Sequence, residues 1–187
     1  MLNWFKELEP VKVDTNIWKP FIQNEWFNRN FMFISRILQF ILIVGSILFG
    51  VWDYFPASKN LILVLLVFVV HEGIHIITIY RNGNVNLTRS KLDFWIYTDK
   101  VLTKTHFWIF MTAPILILSA IPVLLYFCTN GILNELMLFI AWVNLIIART
   151  DIINSILILL KPSGSVFCRG YYYVIKKHSN KYNVIHK

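Results

Sequence analysis

The sequence has few charged residues and almost no cysteine. Only 15% of its 187 residues are Asp, Glu, Lys or Arg, whereas an ordinary soluble domain has about 25%. Two cysteines, Cys128 and Cys168, are too few for a disulfide framework. The sequence also lacks internal repeats, low-complexity segments and heptads. These absences argue against an ordinary soluble domain, a disordered chain or a nucleic-acid-binding protein.

Apolar residues, by contrast, are abundant and come in long runs. They make up 57% of the chain, and its mean hydropathy is +0.58. A hydrocarbon core of roughly 30 Å needs about 20 mostly apolar helical residues. The sequence therefore predicts an all-α polytopic membrane protein whose length leaves little room for a separate soluble module. Four stretches are long enough to span, at about 31–52, 61–80, 107–127 and 132–160.

The net charge of +8 predicts the orientation of these spans. Positive residues cluster before the first span, between the second and third, and after the fourth, whereas the other two links hold only Lys59. The positive-inside rule then places both termini and the 81–106 link in the cytoplasm. We expect a multi-pass cell-membrane protein with a cytoplasmic N-terminal segment (1–30), a four-helix domain (31–160) and a basic cytoplasmic tail (161–187). The lipid bilayer is its first expected partner, and the oligomeric state stays open.

Two segments outside the spans have the composition of β-strands. Residues 84–89 and 92–97 are short runs with β-forming residues separated by Ser90 and Lys91, which predicts a cytoplasmic β-hairpin. In the tail, Lys161-Pro162-Ser163-Gly164 should end the fourth helix, and a strand-like aromatic run follows at 166–175. The alternative for these aromatic residues, stronger for the tail, is an interfacial belt at the level of the lipid headgroups.

Ionisable residues inside apolar spans are costly and indicate function. The second span contains His71-Glu72-Gly73-Ile74-His75. Residues four apart share one face of a helix, so both imidazoles can bind one ion while Glu72 contacts a water molecule on it. This is the HExxH arrangement of zinc peptidases, in which the carboxylate is the general base. The alternative is a pair of buried structural histidines. A haem is excluded because two histidines on one helix face cannot ligate opposite sides of it.

A catalytic zinc usually has three protein ligands, and Asp151 is the carboxylate that lies deep in another span. Counted from the predicted cytoplasmic helix ends, Asp151 and the two histidines lie within one or two turns of the same depth. The alternative for Asp151 is an ion pair with Arg149. Residues two apart on a helix do not face each other, so we expect Asp151 to be the third metal ligand.

Other polar residues near this level have less certain roles. Asn144, Asn154 and Ser155 could orient Asp151 by hydrogen bonds, although ordinary hydrogen bonding between helices is the stronger explanation. Arg149 could stabilise an oxyanion, or could pair with the tail or a lipid headgroup.

Four motifs follow one another along the chain, namely HEGIH at 71–75, THFWIFMTAP at 105–114, ARTDIINS at 148–155 and KPSGS at 161–165. With these motifs the chain resembles the family of bacterial putative zincin membrane peptidases, which was first catalogued as a domain of unknown function and is similar to site-2 proteases. The resemblance covers about residues 60–175. It implies an intramembrane zinc metalloprotease with His71, His75 and Asp151 as ligands, Glu72 as base and a site toward the cytoplasmic side. Better known site-2 proteases have Gly after the ligand Asp, in a Pro-containing stretch, whereas Asp151 precedes Ile152.

The sequence therefore predicts hydrolysis of peptide bonds in or next to transmembrane segments, with a membrane protein or membrane-bound peptide as the substrate. Two alternatives use the same residues. A metal transporter or sensor would need further polar residues along a path across the membrane, and the outer halves of the spans hold few of them. A non-catalytic membrane chaperone or immunity-type protein would differ from the enzyme only in lacking activity.

Overall fold

The computed structural model describes residues 2–4, 14, 17–80, 85–90, 93–98 and 100–175. Helices predominate. A π-helical segment covers Leu116–Ala120, and a short 3-10 helix covers Val51–Asp53. The α-helices are α1 (Glu25–Leu48), α2 (Ala57–Tyr80), α3 (Lys104–Ile115), α4 (Ile121–Tyr126), α5 (Ile132–Ile147) and α6 (Arg149–Leu159).

Among the described residues, three continuous helical stretches are long and apolar enough to cross a membrane. They are α1, α2 and the continuous Lys104–Tyr126 segment, with 24, 24 and 23 residues. Their limits lie within a few residues of the predicted spans. The largest difference is at α1, which begins six residues early because the Asn24 side chain accepts a hydrogen bond from the Phe27 N–H at 2.9 Å and so caps the helix.

The fourth predicted span differs from the others because it consists of two helices. α5 and α6 meet at Ala148 and are bent by 67° relative to each other. α5 packs on α2, as expected for a neighbouring span, whereas α6 turns away and packs on α3 and α1. The prediction of one span over 132–160 therefore holds for its limits but missed the break in its middle.

The helices have buried contacts inside the bundle and apolar side chains on its outside. Val67 of α2 packs against Phe139 and Val143 of α5 in one fully buried cluster. Large apolar side chains nevertheless stay exposed over the outer helix faces, as at Leu48 and Phe127. Apolar patches of this extent are rare on soluble monomers, and they suit a surface that faces lipid.

In the part of the chain that the structure describes, two small sheets accompany the helices. In the first, β3 (Val85–Ser90) pairs with β4 (Asp93–Thr98) as an antiparallel hairpin and with β1 (Leu2–Trp4) in parallel. The predicted hairpin is confirmed, although its first residue and the turn at 91–92 lie outside the described residues. The second sheet contains β2 (Lys19–Pro20), β5 (Leu102–Thr103), β6 (Ser165–Cys168) and β7 (Tyr171–Val174). Their order in the sheet is β2-β7-β6-β5.

The second sheet packs on the ends of α3 and α6. As predicted, the KPSG sequence follows the last helix, and Gly164 has the positive φ (82°) that favours glycine at a tight turn. The Lys104 ammonium donates hydrogen bonds to the backbone carbonyls of Leu159 and Lys161, which are acceptors that a helix end leaves without intrahelical partners. The tail beyond residue 175 and most of the predicted N-terminal segment lie outside the described residues.

Candidate metal centre

The helix α2 positions three ionisable side chains in the middle of the bundle. His71 and His75 are separated by one helical turn, and their side chains are 3% and 5% exposed. Their rings meet edge to face with centroids 4.8 Å apart. Glu72 follows His71 and is half-buried. The expected single-face arrangement of the two histidines is therefore present.

The break at Ala148 positions the third ionisable group. Asp151 lies in the first turn of α6, directly after the bend, and it is 8% exposed. The N-terminal end of a helix carries a partial positive charge that stabilises a carboxylate. The bend thus places an anionic side chain at a favourable helix end and directs it toward α2.

These three side chains converge on one point. Asp151 Oδ2 lies 3.1 Å from His71 Nε2 and 3.1 Å from His75 Nε2, and the two Nε2 atoms are 3.2 Å apart. Ligand atoms about 2.0–2.1 Å from a tetrahedral zinc ion are separated by about 3.3 Å. The nearly equilateral triangle therefore has the size of one face of a zinc coordination tetrahedron, and the group could hold a metal ion.

A hydrogen-bond network fixes the tautomer of His71. The fully buried Asn144 of α5 donates from Nδ2 to the Pro114 carbonyl (3.1 Å) and to Ser119 Oγ (2.8 Å). Its Oδ1 atom therefore faces His71 Nδ1 at 2.9 Å and accepts a hydrogen bond from it. In a neutral imidazole only one nitrogen carries a proton, so His71 Nε2 presents a lone pair to the centre of the triangle.

This protonation pattern favours a cation over a proton at the centre. Without a cation, the 3.1 Å contact between His71 Nε2 and Asp151 Oδ2 would need an added proton, either on His71, which would then be a buried cation, or on the Asp151 carboxyl. A divalent cation instead binds the neutral tautomer that Asn144 selects and also satisfies the Asp151 carboxylate. Hydrogen bonding of the distal nitrogen is the usual support for a metal-binding histidine. The chemistry of the donor set thus fits a metal ion.

The second histidine is held by packing. The His75 ring lies against Phe110 of α3, with centroids 4.7 Å apart and planes tilted by 54°. Its Nδ1 atom is buried and has no hydrogen-bond partner among the described residues. The two histidines therefore receive different support, a buried amide for His71 and an aromatic wall for His75.

A cavity of about 220 Å³ opens in front of the triangle. Glu72 and Arg149 both line it, together with Gln39 of α1 and Asn154 of α6. Glu72 and the three candidate ligands therefore line the same cavity, which is large enough to hold water molecules. A general base has to reach the water that it deprotonates. Gln39, which in the sequence only interrupts an apolar run, is one residue of this cavity that the sequence did not single out.

The roles expected for the other polar residues are modified by the structure. Asn144 supports His71 and not Asp151. Asn154 lies 3.9 Å from Met111 Sδ, and Ser155 Oγ is buried without a hydrogen-bond partner among the described residues. The sequence shows that Asn144 is a polar residue within a span. Its hydrogen-bond partner could not be predicted because it depends on the orientation of α5 relative to α2.

Comparison with known proteins gives one result. The profile of a family described as "Putative zincin peptidase" matches residues 64–166, which is more than half of the chain and includes all three candidate ligands. Neither the comparison with curated proteins nor that with solved structures gave a match. Zincin peptidases are zinc metallopeptidases, so the family implies zinc as the cofactor, and the His71, His75 and Asp151 group could bind it. The chain belongs to this family of putative zincin peptidases.

Proposed function

We propose that this protein is an intramembrane zinc metalloprotease of the site-2-protease type. It hydrolyses peptide bonds in or next to transmembrane segments of membrane proteins or membrane-bound peptides. The observation that carries the proposal is the triangle of His71, His75 and Asp151 ligand atoms, 3.1–3.2 Å apart, with Glu72 in the adjoining cavity. α2, which carries three of these four residues, is long and apolar enough to span a membrane.

In this proposal each residue has a defined role. His71, His75 and Asp151 would hold the zinc ion, which would supply Lewis acidity to the scissile carbonyl and to the attacking water. Glu72 accepts a proton from the attacking water and returns it to the leaving amine. Asn144 keeps His71 in the tautomer that leaves Nε2 available. Phe110 and Met111 form apolar walls that limit the access of bulk water.

The β-hairpin has a role in substrate binding. A transmembrane helix hides its carbonyls in backbone hydrogen bonds, so it must unwind before hydrolysis. Within the described residues β4 is an edge strand, and its Ile96 lines the cavity with Glu72. A substrate that pairs with β4 as an added strand would satisfy its freed backbone groups. We infer from the distribution of positive charge that this hairpin and both termini face the cytoplasm of the cell membrane.

A substitution of the base tests the proposal. Wild-type protein and Glu72→Gln, purified in detergent, are incubated with a library of membrane-protein fragments, and new termini are identified by mass spectrometry. Glu72→Gln should keep its zinc and lose cleavage by a factor of about 100 or more. The matched control is Glu135→Gln, the same change in the first turn of α5, which should cleave like the wild type.

The result also separates the alternatives. Cleavage by Glu72→Gln at the wild-type rate would exclude the proposed mechanism. A wild-type protein that binds zinc and cleaves nothing would instead fit the non-catalytic alternative. Zinc flux through the protein in sealed liposomes would identify a transporter.

A further inference from the structure

A second cavity of about 280 Å³ lies beside the metal cavity and has a different character. An engineered apolar cavity of about 150 Å³ is large enough to bind benzene, so this one can accept an aromatic or branched aliphatic side chain. Most of its lining is apolar, and six of the lining side chains are those of Phe21, Phe31, Phe107, Phe110, Phe167 and Tyr171.

The two cavities adjoin each other. Four residues line both of them, namely Ile96, Phe110, Met111 and Asn154. Phe110 also contacts the ring of His75, so a single side chain separates the candidate metal ligands from the apolar cavity. A peptide whose carbonyl lies at the metal centre therefore has a neighbouring residue close to the second cavity.

The edge strand β4 runs along this boundary. Ile96 and Thr98 are two residues apart and line the second cavity together, as expected for residues on the same face of a strand. Side chains of a peptide paired with β4 would alternate between the two faces in the same way. Every second side chain of such a peptide would therefore point toward the second cavity.

The turn of the β6–β7 hairpin forms another part of the cavity wall. Arg169 and Gly170 join the two strands with φ angles of 43° and 80°, and both residues line the cavity. A positive φ is unfavourable for a residue such as arginine. A two-residue hairpin loop of type I′ requires positive φ at both of its residues, so the β6–β7 hairpin itself holds this part of the lining in place.

We propose that the second cavity is a specificity pocket for one large apolar side chain of the substrate, aromatic or branched aliphatic, next to the scissile bond. This inference rests on the proposed peptidase function and narrows its substrate class. The two cationic residues of the lining, Lys100 and Arg169, would disfavour a basic side chain at the same position.

Cys168 offers a direct test because it is a thiol in the lining of the pocket. The other cysteine, Cys128, is exposed and lies two residues after the end of α4. In Cys128→Ser protein, benzyl methanethiosulfonate would place a benzyl group on Cys168 through a mixed disulfide, with methanesulfinate as the leaving group. The matched control is Cys168→Ser protein treated with the same reagent.

The readout is the cleavage of transmembrane peptides that differ only at the residue next to the scissile bond, as mapped with the fragment library. Peptides with Phe or Leu should be cleaved at least about tenfold more efficiently than those with Ala. Benzylation should abolish this preference in Cys128→Ser protein, and reduction of the mixed disulfide should restore it. In Cys168→Ser protein the reagent should change nothing. No Phe preference, or a preference that benzylation leaves intact, would overturn the proposal.

A binding measurement decides the question even if the protein cleaves nothing. In the double variant Glu72→Gln/Cys128→Ser, the Phe peptide should slow alkylation of Cys168 at least about tenfold, and the Ala peptide should not. Equal alkylation rates with both peptides would overturn the pocket, whatever the outcome for the peptidase. Full protection by detergent or lipid alone would assign the cavity to an acyl chain and also overturn it.

Discussion

The candidate metal ligands come from two helical regions that are built differently. α2 is one continuous helix of 24 residues, and two of its residues become ligands because four residues make about one turn. The α5–α6 region is bent by 67° at Ala148, and its ligand lies in the first turn after the bend. The spacing of residues along α2 therefore positions His71 and His75, whereas the packing of α6 against other helices positions Asp151.

The bent region contributes to the site on both sides of the break. Asn144 contacts Nδ1 of His71 at 2.9 Å, and Asp151 contacts Nε2 of the same ring at 3.1 Å. In a straight helix two residues seven apart would be separated by about 10.5 Å along the axis. α5 and α6 thus contact opposite ring nitrogens of His71, so the orientation of this ligand on α2 depends on both helices.

Removing one ligand from each region should have the largest effect. We expect His75→Ala and Asp151→Ala to lower the zinc content of purified protein from about one ion per chain to nearly none, because a catalytic zinc site has only three protein ligands. Metal analysis after dialysis measures this. Asp53→Ala, which removes an exposed carboxylate outside the site, is the control and should keep its zinc. A full zinc content in Asp151→Ala would show that α6 does not contribute a metal ligand.

The next largest effect should come from the residue that links the two regions. Asn144→Leu removes the acceptor for His71 Nδ1–H, and loss of such an outer partner typically weakens metal binding 10–100-fold. Zinc affinity measured by competition with a chelator tests this. Ser119→Ala removes one acceptor of Asn144 Nδ2 and leaves Oδ1 in place, so a smaller decrease is expected. Identical zinc affinities for Asn144→Leu and the wild type would contradict the tautomer argument.

The α2 half of the site could be predicted from the sequence because its information is local. The apolar run defines the helix, and the spacing of His71 and His75 defines the face. The β3–β4 hairpin was predictable for the same reason, since adjacent strands need only a short turn between them. The depth estimate that paired Asp151 with the histidines used only helical rise and the predicted helix ends.

The break at Ala148 could not be predicted because nothing local encodes it. The residues around it contain no proline or glycine, and alanine is the best helix former of all. Ala148 is fully buried, so the bend depends on contacts with the rest of the bundle. The strands β1 and β2 were missed for a similar reason, since each has only two or three residues and pairs with a distant segment.

A substitution at the bend tests whether packing maintains it. Ala148→Leu adds volume at a residue with 0% exposure, and overpacking of this kind costs about 1–3 kcal/mol. We expect a lower thermal stability and a weaker zinc affinity, because α6 can relieve the strain only by moving Asp151. The same substitution at Ala57→Leu, on the exposed first residue of α2, should change neither. Unaltered zinc binding by a destabilised Ala148→Leu protein would show that the ligand position does not depend on the bend.

The smallest effect should come from Gly73→Ala, the matched change in the continuous region. A methyl group at Gly73 would have nothing within 4 Å, and glycine in a helix interior is less favourable than alanine by roughly 0.5–1 kcal/mol. We therefore expect a gain in stability, seen as a rise in Tm of about 1–4 °C, with zinc content unchanged. A loss of zinc in this variant would mean that zinc binding depends on backbone freedom at Gly73. The positions of the ligands on α2 would then depend on more than their spacing along the helix.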